Sequence, residues 1–414
     1  MIAAAERQVL RDLARRVGDA AALPVMEERR ARWRRHNALQ PARPLLLVFP
    51  EGAWRELLPE SALRTAAPAA RAMEGELRRR LFTHEHFRDD TVIEKDWVVE
   101  KAVTSTGWGL EPRHAYSSAP TGAWGFDPVL KEPGDLKRLH FPEVRHDERE
   151  SARRLVEAQE VFGDILDVRL AGIRHVSFHL MDLFTKRRGL HETLEDLVEN
   201  PGFVHEAMAF FTEGSLRLVR QYEALNLLSP NHDGTYQSSG GVGYLDGPPA
   251  SGADPARVKP RDLWASAESQ EMALVSPAMH ETFVMRYERR LLEPFGLAGY
   301  GCCEALDAKL DRVLAFPRMR RVSISPFANV ARCAAALGDR AILSWKPSPS
   351  HLVGAFNPGL VRSCLREGLA AARGCVVEII LKDTHTCEGH GERFTRWTEI
   401  AREEINVAES AAGR

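Results

Sequence analysis

The chain has 414 residues, with 56 basic against 58 acidic side chains, a formal charge of -2 and 44% apolar residues. This balance argues against a polyanion as the main partner, because gripping a phosphate backbone needs a basic excess or a concentrated basic face. No stretch nears the roughly 18 apolar residues of a bilayer span, and Glu6, Asp12 and Asp19 near the start are unlike a targeting peptide. A cytoplasmic protein is expected, with neither nucleic acid nor membrane as partner.

Residues 1–43 read as a helical extension. Its run Arg29, Arg30, Arg32, Arg34, Arg35 is a solvated face, an arm on another subunit or an anion patch. From Pro44 the segment PLLLVFP is a short apolar run between prolines, the pattern of a buried parallel strand. A helix is expected over 66–82. Asn200 and Pro201 open another, with Val204, Met208, Phe211 and Leu218 at helical spacing. The segment LLSPNHDGTYQSSGGVGYLDGPP then forms a long polar loop, expected to be a lid or a site wall. A helix from Ser276 and Pro277 ends near Pro294, and strands follow at 321–325, from 341 and from 375, with helices between. Strand and helix alternating at this spacing imply a parallel sheet. The length fits an α/β fold of the (α/β)8 TIM-barrel type over 44–408, with a tail at 409–414; a doubly wound sheet is the other architecture.

In such a fold the working groups lie at the C-terminal ends of the strands. The polar residues expected there are His232 and Asp233, then Cys302, Cys303 and Glu304, then Lys346, then Asp383, His385 and Cys387. Side chains two apart on a strand share a face, so Cys302 pairs with Glu304 and His385 with Cys387, unless a bulge at Gly301 exchanges Cys302 for Cys303. Thiolates with an imidazole and a carboxylate suit zinc; buried small apolar groups are the other reading of these cysteines. Lys346 either meets an anionic substrate group or pairs with an acid. His232 and Asp233 either position substrate or are turn residues. Six cysteines in so long a chain do not make a disulfide scaffold. Phosphate-loop, dinucleotide-binding, nucleophile-elbow and zincin motifs are missing from the sequence.

The succession SQEMALVSP, LLEPFGLAGYGCCE, RVSISPFANV, SWKPSP and a last strand ending in a cysteine resembles the uroporphyrinogen decarboxylase superfamily, within it the corrinoid-dependent methyltransferases. Those hold zinc through a His-x-Cys at one strand end and a late cysteine. Their cysteines fall on Cys302 and Cys387, but their histidine falls on Tyr300, so Cys303, Glu304 or His385 would complete the set. The resemblance implies methyl transfer between a small substrate or thiol and a corrinoid held by a carrier protein, in a homodimer. His232, Asp233 and Lys346 would then serve as substrate-handling residues. A metal-assisted decarboxylase or lyase of a small anionic substrate is the alternative, and a non-catalytic carrier-binding protein the third.

Overall fold

The computed structural model describes residues 2–116 and 124–411. Its centre is a sheet of seven strands: β1 (Leu45–Val48), β2 (Ser177–Phe178), β3 (Trp264–Ala267), β4 (Leu297–Tyr300), β5 (Met319–Ile324), β6 (Ile342–Trp345) and β7 (Val377–Leu381). They lie in the order β1-β7-β6-β5-β4-β3-β2, and every pairing is parallel. β1, β3, β4, β6 and β7 are buried at every position. Both faces of a parallel sheet are covered, so these strands read as mostly apolar rather than alternating, with buried Ser266, Ser344 and Glu378 as the polar exceptions in β3, β6 and β7. Among the described residues this sheet has seven of the eight strands that a barrel would need, and no ladder joins the edge strands β1 and β2.

The expected helices mostly form: Pro68–Phe82, Pro201–Ala224, Val330–Leu337 and Pro358–Ala371. Ser276 caps the backbone N–H of Met279 at the start of the helical stretch before β4, as its Ser-Pro sequence predicts. Glu392–Ala411 is a final helix. The expected tail thus begins inside it, and residues 412–414 lie outside the described residues.

The N-terminal segment folds as two helices, α1 (Ala4–Ala21) and α2 (Pro24–Asn37). α1 contributes Leu10, Leu13 and Val17 to a second hydrophobic core, shared with Leu77, Trp97 and Phe162. The arginines of α2 are used within the chain: Arg29 donates to the Thr91 carbonyl, Arg30 meets Glu94 and Glu27, and Arg32 meets Glu28. The end of α2 covers the N-terminal end of the sheet. There His36 contacts Glu378, Glu378 accepts from Arg321, and Arg321 donates to Asn37, with all four residues buried.

The expected glycine-rich loop is a wall. Gln237 to Gly241 are all buried, and a small hairpin (Tyr236–Gln237 with Gly241–Val242) presses on the sheet. A Cβ on Gly241 would sit 2.2 Å from the Arg321 guanidinium carbon, so only glycine fits this approach.

Candidate active site at the strand ends

Because all seven strands run the same way, the residues just past their C-terminal ends gather on one side of the sheet. His179 follows β2, Glu268 follows β3, Cys302 and Cys303 stand on the turn after β4, Lys346 follows β6, and Lys382 and Asp383 follow β7. The wall hairpin adds Ser239.

Cys302 is the centre of this group. Its sulfur accepts from Ser239 Oγ at 3.4 Å and lies 3.6 Å from the sulfur of Cys303. The hydrogen bond with Cys303 outweighs burial and, helped by Ser239 and Lys382, holds the Cys302 thiol down to about 6. These neighbours favour the thiolate form of Cys302, and the same bond raises Cys303. His179 Nδ1 is hydrogen-bonded to Glu268. Burial opposes charge on this ring, but Glu268, Asp182 and Cys302 together raise its pKa above the usual histidine value.

Two ammonium groups complete the ring. Lys346 Nζ is buried and donates to Ser323 Oγ at 2.6 Å; burial, then the charge of Lys382, push it down to about 8. Lys382 Nζ lies 3.5 Å from Ser239 Oγ and Asp383 Oδ1 and 3.7 Å from Glu51. Burial opposes its charge, yet Tyr236, Asp383, Cys302 and Glu51 outweigh that and raise its pKa. Behind this ring stands a buried acid layer. Ser269 Oγ and Tyr300 Oη both donate to Glu288, and burial raises Glu288 to about 8 and, with the charge of Glu268, Glu304 to about 7.

The structure divides the residues that the sequence singles out. Lys346, Cys302 and Cys303 belong to the ring. Glu304 lies beneath it, because β4 ends at Tyr300 and Gly301, at φ +95°, turns the chain, so the two-apart rule for strands no longer applies. Instead of pointing outward, the Glu304 carboxylate folds back to accept the N–H of Cys302 and of Ser269. β7 likewise ends at Leu381, and Asp383 has φ +59°. His385 is consequently exposed while Cys387 is buried, its thiol donating to Glu56 at 3.1 Å. Burial and then Glu56 raise Cys387 to about 11. Tyr300, at the position of the expected zinc histidine, is buried against Glu288 and His280.

The expected zinc set therefore does not fit. Cys387 and Glu304 are committed to other partners, and among the described residues no group of three or more His, Cys, Asp or Glu side chains is arranged to hold a metal ion. Asp233 pairs with Arg169 at 3.1 Å and Arg174 at 3.5 Å beside a side cleft of about 940 Å³, lined also by Trp97 and Tyr236. His232 is half-buried with its Nδ1 unpartnered, and burial lowers its pKa.

Sequence reading misses His179, Glu268, Lys382 and Ser239. Glu268 and Lys382 carry one common signal, the first polar residue after a buried strand: WASAE and EIILK.

No family model matches the chain, and no curated protein matches it. Twenty-one chains of solved structures do. One is a methyltransferase from Methanosarcina mazei, with a TM-score of 0.51 and 12% identity, covering 91% of this chain and 98% of that one. At such identity the likeness is one of fold: an α/β chain built on a parallel sheet. No helix of the described residues is long and apolar enough to cross a membrane.

Proposed function

We propose that this protein is a methyltransferase of the demethylating kind. It would remove a methyl group from the oxygen or nitrogen of a small anionic substrate and pass it to a corrinoid brought by a carrier protein. The observation that carries the reading is the hydrogen bond of His179 to Glu268, with the charge of Cys302 also acting on the imidazole, at a strand-end ring that also holds Lys346 and Lys382. The fold shared with a methyltransferase supports it.

Glu268, Asp182 and Cys302 favour the protonated form of the His179 ring, which would let it act as an acid. Nδ1 is engaged by Glu268, which leaves Nε2 to face the substrate. As the bond between the methyl carbon and the substrate heteroatom breaks, the electron pair stays on the heteroatom and takes the proton from Nε2. The methyl carbon goes to the nucleophilic acceptor, which a reduced corrinoid supplies. Lys382 and Lys346 hold the anionic group of the substrate. Because the expected zinc donors do not converge, no step runs through that metal.

The test is to supply carboxylated methyl ethers and methylamines with a reduced corrinoid and follow the methyl group by mass spectrometry. Transfer that falls about 10²- to 10⁴-fold in His179→Ala supports the reading, since that is the usual contribution of a general acid. The two ammonium groups favour a second reading, decarboxylation of the same substrate class, in which they would stabilise a developing carbanion. Carbon dioxide release without methyl transfer would select it.

A further inference from the structure

Cys302 and Cys303 are adjacent in the chain with their sulfurs 3.6 Å apart, the first half-buried and the second exposed. Ser239 donates to the Cys302 sulfur, and Lys382, which is in reach of Ser239, adds positive charge. This is the arrangement in which one thiol reacts as an anion and the next resolves the product.

We propose that this pair is a peroxide-reactive modification site, with Cys302 as the attacking sulfur and Cys303 as the resolving one. In the first step the Cys302 thiolate attacks one oxygen of hydrogen peroxide. A sulfur–oxygen bond forms, the oxygen–oxygen bond breaks, and the departing hydroxide takes up a proton as water. In the second, the Cys303 sulfur attacks that of Cys302. The disulfide bond forms, the sulfur–oxygen bond breaks, and the hydroxyl leaves with the Cys303 proton as a second water. The pair loses two electrons, and peroxide is reduced.

The other four cysteines lack this setting. Cys333 and Cys387 are buried, the latter held by Glu56. Cys364 and Cys375 are half-buried, and burial raises both thiols. The product is also easily reversed. Neighbouring Cα atoms are about 3.8 Å apart across a trans peptide, whereas disulfides usually span about 4.4–6.8 Å. The bridge is therefore strained, and strained bridges are the readily reduced ones. Oxidation would consume the Cys302 sulfur, whose charge acts on His179, until a dithiol resets it. The inference rests on the sulfur geometry and not on methyl transfer.

The experiment treats the full-length protein with equimolar hydrogen peroxide, then applies differential alkylation and peptide mass analysis. The peptide with Cys302 and Cys303 is expected to lose two hydrogens, taking the free thiols from six to four, and dithiothreitol to restore them. Cys303→Ser is expected to stop at a sulfenic acid on residue 302 that dimedone captures. A wild-type protein whose Cys303 stays alkylatable while Cys302 proceeds to sulfinic acid would overturn the proposal. So would oxidation confined to other cysteines, or no loss of thiol. These readings need no methyl donor, and the wild-type result decides even if a variant fails to fold.

Discussion

Cys302 shows how much a single side chain depends on neighbours that composition cannot reveal. Its residue type is visible in the sequence, but its charge comes from Cys303, Ser239 and Lys382. Alkylation of Cys302 by iodoacetamide is expected to titrate with a midpoint near 6, against about 8.5 for a free thiol. Ser239→Ala should move that midpoint upward, and peptide-resolved alkylation rates against pH would show it. The folded pKa lies below the unfolded one, so the thiolate contributes stability above the unfolded value, and this is lost as pH falls through about 6. The zinc expectation also belongs at this scale. If Cys387 is held by Glu56 as the structure shows, Cys387→Ser leaves the metal content of the purified protein unchanged; a loss of stoichiometric zinc in both Cys302→Ser and Cys387→Ser would restore the zinc set.

At the scale of elements, strands are more legible than the turns at their ends. PLLLVFP announces a buried parallel strand because both faces are apolar, and the run from Val376 to Leu381 does so through every residue but Glu378. The two residues of β2 carry no such signal, so His179 is hidden along with it. The cysteine-containing ends mislead for a physical reason: two-residue periodicity holds only while the chain stays extended, and both β4 and β7 stop before the residues in question. The loop from Ser238 to Gly241 is legible as a site wall, but its burial is not. That burial makes Gly241 testable. Arg321 is fully buried and tied to Glu378, so it cannot swing away from an added methyl. Gly241→Ala is expected to cost about 1–3 kcal/mol, the usual range for overpacking, measured by urea denaturation. By shifting Ser239 it should also carry the Cys302 alkylation midpoint toward an ordinary thiol.

For the whole molecule, the two ends of the sheet carry opposite electrostatics. Beneath the strands, Glu378 is held at about 2: burial opposes its charge, but Arg321 and His36 outweigh it. Removing this carboxylate leaves Arg321 buried without its counter-charge, so Glu378→Ala should lose about 3–5 kcal/mol of stability, as broken buried pairs do. Above the strands, burial raises Glu288 and Glu304 toward neutrality. Their folded values lie above the unfolded one near 4.5, so the protonated forms stabilise the fold. That contribution is complete below 4.5 and is lost as pH rises through about 7 to 8. Glu288→Gln keeps a neutral group able to hydrogen-bond Ser269 and Tyr300 but cannot ionise. The difference between wild type and this variant isolates the carboxyl from Cys302, whose contribution runs the other way over the same interval. Denaturation at about pH 5 and pH 8 should show the variant losing less stability with rising pH, by an amount of the order of 1–3 kcal/mol. Equal losses in both proteins would mean that Glu288 is already ionised in the fold, and the layer behind Cys302 would then be anionic rather than neutral.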